Sequence, residues 1–267
     1  MPEPFAITPI SGALGARIDG FDAAVPPSEA EMARLRQALL DHCVLLLPGQ
    51  GHITPEQHIA FADRWGEVHE MPTPEACLDG NLKVLVLDTH GEKPVTDAWH
   101  SDVTMEEKPP LGSLLLARVV PVGGDTIFAN QYLAYEALSD GMKQLIDGMK
   151  AVHNGDNFAK AGNFDPGRFP SNLHPVVRTH PETGRKALFV NPVYTSRLEN
   201  MTREESRPLL DFLCEHSVHP NFTFRHRWSA GDMLVWDNRC LQHFAVADYG
   251  SQPRTMHRVT VLGDRPF

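Results

Sequence analysis

The chain has 267 residues, 42% apolar and 22% charged, and a formal net charge of −10. That length can bury a large core, and the composition is that of a globular protein rather than a disordered one. The acidic balance would repel a nucleic-acid backbone or an anionic membrane surface, so neither partner is expected.

The N-terminal MPEPFAITPI has no basic region and no long apolar run, so no signal peptide is expected. No stretch reaches the roughly 18 apolar residues of a membrane span. The four cysteines (Cys43, Cys77, Cys214 and Cys240) are scattered, with no CxxC. They read as free thiols in a reducing compartment, which predicts a cytoplasmic protein.

In chain order, Ser28 with Glu31 makes a capping box, and Met32, Leu35 and Leu39 share one face of an amphipathic helix. Val44 to Pro48 reads as a buried strand. The helix logic repeats at 54–66, with Thr54 as N-cap, Pro55 in the first turn, Gln57 as capping partner and Gly66 at the end. KVLVLDT, GSLLLARVV and GGDTIFAN read as strands, followed by helical sequence over 134–149.

Residues 154–172 (NGDNFAKAGNFDPGRFPSN) are rich in Gly, Asn and Pro and predict a structureless stretch, a lid loop. Phe158, Phe164 and Phe169 within it point to closure over something apolar. Residues 174–190 predict a hairpin turning at Pro181 to Gly184. Thr202 with Glu205 caps another helix. FTFRHRW, DMLVWD and RTMHRVTVL are strands that close the chain. With no internal repeat, these elements predict one α+β domain over 1–267, an antiparallel sandwich or barrel flanked by helices.

The chemistry gathers around DAWHSDVTMEEKPP. If WHSDVT is a strand, alternation puts His100, Asp102 and Thr104 on one face and Trp99, Ser101 and Val103 on the other. His100 and Asp102 would then lie about 7 Å apart at Cα and could converge on one ion. HxD alone is a weak signal. VWDNRCLQH adds His243, and RTMHRVTVL places Arg254, Met256, Arg258 and Thr260 on one face. Two buried guanidinium groups there would need anionic partners; on a solvated face they would be ordinary surface charges. Two His and one carboxylate make a facial triad suited to non-haem Fe(II), and an Arg beyond the distal His can hold the far carboxylate of a 2-oxo acid. A zinc hydrolase would use the same three ligands, and a non-catalytic jelly-roll binding protein is a third reading.

These blocks, with ITPISGALGARIDG, ITPEQHIAFADRWGEVH, PPLGSLLLARVVPVGGDT and HPVVRTHPETGRKALFVN, resemble the taurine dioxygenase / 2,4-D dioxygenase family of Fe(II)- and 2-oxoglutarate-dependent oxygenases. The resemblance covers about nine-tenths of the chain and implies a double-stranded β-helix (jelly-roll) core. It implies that His100, Asp102 and His243 bind Fe(II), that Thr126 and Arg254 hold 2-oxoglutarate, and that Arg258 grips the acidic group of the primary substrate. O2 would complete the reaction, with succinate and CO2 as by-products.

Taurine-oxidising members place a His two residues after the one in WGEVH and an Asn four before the first iron-binding His. Here those positions are Met71 and Thr96. Ser-Phe lid positions read Phe158-Ala159 here, and a pocket Phe becomes Tyr194. The exchanges at Met71 and Phe158 put apolar bulk where those enzymes have polar groups. The expected substrate is therefore a small organic anion with a larger apolar body: an alkyl or aryl sulfonate, an alkyl sulfate or an aryloxyalkanoate. Taurine itself is the alternative. A homo-oligomer, dimer or tetramer, is expected.

Overall fold

The structure, a computed structural model, describes residues 4–71, 74–89, 97–165 and 167–267. Its main sheet has eight strands, in the order Ala6–Pro9, Ala16–Asp19, Val44–Leu47, Met233–Asp237, Gly112–Val119, Thr255–Val261, Asn81–Asp88 and Cys77–Leu78. All neighbours are antiparallel except Ala16–Asp19 with Val44–Leu47. A three-stranded antiparallel sheet, Thr223–His226, Thr126–Asn130 and Leu241–Ala245, lies across from it. Two smaller sheets complete the β structure: Thr195–Leu198, Lys150–Asn154 and Ser171–Pro175, and the hairpin Val177–Thr179 with Lys186–Leu188. This is the jelly-roll core with flanking helices that the sequence predicts.

Alternation along the strands builds two cores from one sheet. Met233 and Val235 face the helix side, where they join Leu35, Leu39 and Phe61. Leu234 and Trp236 face inward and meet Phe128 and Leu241 of the smaller sheet. On the neighbouring strand, Leu114 and Leu116 share the first core, Leu115 and Ala117 the second. The inner face of Thr255–Val261 therefore points into the sandwich, with Met256 in the inner core and Val259 and Val261 in the outer one.

The capping boxes form as read. Ser28, Thr54 and Thr202 each accept from the backbone N–H three residues on, and Glu31, Gln57 and Glu205 reach back. They start helices Glu29–His42, Pro55–Asp63 and Arg203–Ser217.

Three expectations change. The second helix ends at Asp63 rather than Gly66. Gly66 instead allows close packing, since a Cβ there would sit 2.8 Å from Val261 Cγ1. The helical stretch after residue 130 is two short helices, Gln131–Glu136 and Asp140–Ile146, because Ser139 caps the second one anew. The edge pair Ala6–Pro9 and Ala16–Asp19 was not foreseen. Residues 154–172 are not structureless: they hold helix Asp156–Ala161 and run into strand Ser171–Pro175. The three phenylalanines pack on one another, which is the apolar driving force for that local order.

Two glycines test this packing in opposite directions. A Cβ at Gly112 would meet the Trp236 carbonyl oxygen at 2.2 Å, backbone against backbone. Gly112→Ala should cost about 1–3 kcal/mol or more, read as a lowered melting temperature. Gly141, in the first turn of Asp140–Ile146, has nothing within 4 Å of that position. Gly141→Ala should stabilise by about 0.4–1 kcal/mol in the same assay.

Candidate metal centre and its surroundings

His100 and His243 are brought together by a single antiparallel bridge. Each donates its backbone N–H to the other's carbonyl, at 3.0 and 2.7 Å. The chain does not continue as a strand. It turns from Asp102 onward, and Val103 has φ +39°. The expected strand alternation through WHSDVT is therefore replaced by bridge and turn, which still deliver His100 and Asp102 to the same place. One ligand atom from each of His100, Asp102 and His243 lies within 4.8 Å of the others, and all three residues are buried.

Both imidazole Nε2 atoms stand 3.8 Å from the same oxygen, Asp102 Oδ1. That is too long for a hydrogen bond and suits three donors converging on one cation. His100 Nδ1 lies 2.8 Å from the Ala98 carbonyl, an acceptor only, so Nδ1 carries the proton and Nε2 keeps its lone pair. Burial, reinforced by the neighbouring His100, lowers the His243 pKa to about 3; burial likewise lowers that of His100, against the pull of Asp102. Both rings are neutral near pH 7, the form a metal needs. Burial pushes the Asp102 carboxyl up, but Arg258, His243 and His100 outweigh it and hold it near 2. The donor set thus fits a divalent metal in both geometry and protonation.

The support of Asp102 comes from far along the chain. Asn238 Oδ1 accepts from the Asp102 N–H at 2.7 Å, and its Nδ2 donates to the Asp102 and Pro110 carbonyls. Ser113 Oγ donates to Asp102 Oδ2 at 3.2 Å and lies 3.4 Å from Thr260 Oγ1. Arg258 Nη1 donates to Asp102 Oδ1 at 3.1 Å, while its buried Nε has no partner among the described residues. The same-face reading of Arg258 and Thr260 holds. A register irregularity between Thr255 and Met256 separates them from Arg254.

Thr126 begins its strand two residues before Phe128, which pairs with His243. Its hydroxyl accepts from Trp228 Nε1 at 3.0 Å, leaving its own proton to donate. Arg254 is 7% exposed, and burial lowers its pKa. Among the described residues no carboxylate pairs with its guanidinium. It lies near Thr126: a Cβ on Gly124 would meet Arg254 Cδ at 3.2 Å.

The remaining expected residues divide. Tyr194 is buried, its ring 6.4 Å from that of His100, and Phe158 stands 6.1 Å beyond it. Met71 is half-buried and tied to Leu82 through its backbone. Its neighbour His69 lies in the field of Arg258. Thr96 lies outside the described residues. Asn238 and Ser113 escaped the sequence reading, and Thr104 entered it only as a residue on the ligand face. A buried Asn just after VWD was the available signal for the first; the hydroxyls carried none.

A family profile described as "Taurine catabolism dioxygenase TauD, TfdA family" matches residues 6–260. The Pseudomonas putida alpha-ketoglutarate-dependent sulfate ester dioxygenase is 35% identical, over 97% of this chain and 90% of its own. The (S)-phenoxypropionate/alpha-ketoglutarate-dioxygenase of Sphingobium herbicidovorans is 32% identical, over 99% and 97%. A crystal structure of a taurine dioxygenase from Burkholderia xenovorans superposes with a TM-score of 0.86 at 35% identity, covering 99% of this chain and 91% of that one. With a matching profile, fold and triad, the chain belongs to the TauD/TfdA family and is a 2-oxoglutarate-dependent dioxygenase.

Proposed function

We propose that His100, Asp102 and His243 hold Fe(II), that Thr126 and Arg254 bind the distal carboxylate of 2-oxoglutarate, and that Arg258 receives the anionic head of a small organic substrate. The observation that carries this reading is the convergence of two neutral imidazoles on one oxygen of an ionised, buried carboxylate. When bound, Fe(II) with O2 and 2-oxoglutarate supplies the oxidising chemistry, giving succinate, CO2 and a hydroxylated substrate.

The chain's own residues supply binding, orientation and dryness. The fixed tautomer of His100 aims its lone pair without a rearrangement. Buried and unpaired, Arg254 gains most from an incoming carboxylate, which it can take bidentately. Trp228 donates to the Thr126 hydroxyl, which leaves that proton free for an incoming carboxylate. Phe158 and Tyr194 form an apolar wall beside His100, which excludes water from the reacting carbon.

The substrate reading is a sulfate ester, an alkyl or aryl sulfonate or an aryloxyalkanoate. Hydroxylation at the carbon next to the heteroatom gives an unstable product that falls apart. Relatives named for a sulfate ester and for phenoxypropionate support that range. Apolar Met71 and Phe158 favour it over taurine, whose ammonium group needs a polar partner. A cytoplasmic homo-oligomer, dimer or tetramer, completes the proposal. Among the described residues no helix is long and apolar enough to cross a membrane.

Anaerobically purified protein loaded with Fe(II), then given 2-oxoglutarate and O2, should form succinate when offered a panel of sulfates, sulfonates and aryloxy acids. His100→Ala should lose that turnover. Activity with zinc alone, independent of 2-oxoglutarate, would instead make it a hydrolase. Arg258→Ala should raise KM for the primary substrate about 10–100-fold, the worth of a charge-assisted hydrogen bond, with a smaller effect on KM for 2-oxoglutarate. Unchanged substrate KM in that variant would remove Arg258 from the anion site.

A further inference from the structure

The Asp102 turn is gripped from a side that the metal reading does not use. Val103, β-branched, sits at φ +39°, a conformation that persists only when its surroundings enforce it. Next to it, the fully buried Thr104 hydroxyl lies 2.9 Å from His153 Nδ1 and accepts from Asn191 Nδ2 at 3.2 Å. The Met105 carbonyl accepts from Asn172 Nδ2 at 2.7 Å, and the Glu106 carbonyl lies 2.9 Å from His174 Nε2.

These partners share one origin. His153 and Asn172 face each other across strands Lys150–Asn154 and Ser171–Pro175, and His174 is on the second. The chain between those two strands contains helix Asp156–Ala161 with Phe158. Asn191 is also bifunctional: while one end binds Thr104, its Oδ1 accepts from the Tyr194 N–H at 2.9 Å. Tyr194 in turn packs between Phe158 and His100. The Thr104 hydroxyl is the point where the ligand turn, the strand feeding the helix and the segment carrying Tyr194 meet.

We propose that Thr104 is a positioning residue of this site: its hydroxyl couples the placement of Asp102 to the order of the Asp156–Ala161 helix. The inference rests on the metal reading above. Ordering the turn orders the helix, and loosening either loosens the other.

Mn(II), which binds without turning over, is the probe, followed by electron paramagnetic resonance and by hydrogen exchange. In the wild type, Mn(II) should slow amide exchange both in 102–106 and in 156–161. Thr104→Val, which keeps the shape and removes the hydroxyl, should weaken Mn(II) binding about tenfold, as loss of a group supporting a ligand does. It should also confine the protection to 102–106. Thr104→Ser should restore both effects. Wild-type Mn(II) affinity in Thr104→Val, or protection that still reaches 156–161, overturns the proposal. If Thr104→Val does not fold, Thr104→Ala removes the same hydroxyl with a smaller side chain; wild-type readouts there overturn it equally. Failure of the wild type to bind Mn(II) at all sinks the metal reading instead, so the two failures are distinct.

Discussion

A carboxylate taken out of water must be paired, and the site is arranged around that demand at Asp102. Its side chain is almost fully buried and still ionised. Three elements contribute to the pairing. The Thr255–Val261 strand supplies Arg258, the Gly112–Val119 strand supplies Ser113, and Asn238 follows the Met233–Asp237 strand. These strands are neighbours in the main sheet. Jelly-roll topology is thus what places a guanidinium, a hydroxyl and an amide around one turn. Removing any of them leaves polar groups in a region where solvent cannot replace them.

The two-core arrangement follows from the same sheet. One face is covered by helices Glu29–His42 and Pro55–Asp63, the other by the smaller sheet. On the inward face Ser113 and Arg258 reach Asp102, and their cross-strand partners Trp236 and Leu115 belong to the apolar inner core. Trp236 packs 5.1 Å from His243 and Phe128 6.1 Å from it, so apolar rings fix that imidazole in place of a hydrogen bond at Nδ1. Burial keeps the ring neutral.

Local signals were legible where local physics decides. Capping boxes at Ser28, Thr54 and Thr202 and the period-two strands read correctly because each depends on residues a few positions apart. The triad was legible as residue types in order, and Arg258 and Thr260 shared a face as alternation requires. Distance along the chain hid the rest. Asn238 and Asp102 are 136 positions apart, and nothing near either announces the contact. The turn after His100 was misread as strand because Val103 and Thr104 have β propensity, which tertiary contacts override. Helix Asp156–Ala161 was missed for the opposite reason: its Gly- and Asn-rich flanks suggest a loop, and only the packing of Phe158, Phe164 and Phe169 orders it.

Charge balance links these parts to the substrate. The chain as a whole is strongly acidic, yet among the described residues the site sets Arg254 and Arg258 against Asp102, one surplus positive charge. A divalent cation would raise that surplus by two, and a 2-oxo diacid would lower it by two. What remains is one positive charge, which a monoanion cancels. Sulfate monoesters, sulfonates and carboxylates would all satisfy this, whereas zwitterionic taurine would also bring an ammonium group. In the proposed function Arg258 would take this last step, since its hydrogen bond goes to Oδ1, the Asp102 oxygen that both imidazoles face. A cation bound there competes for that oxygen. The guanidinium, whose Nε lacks a partner among the described residues, would then have donors to offer an anion.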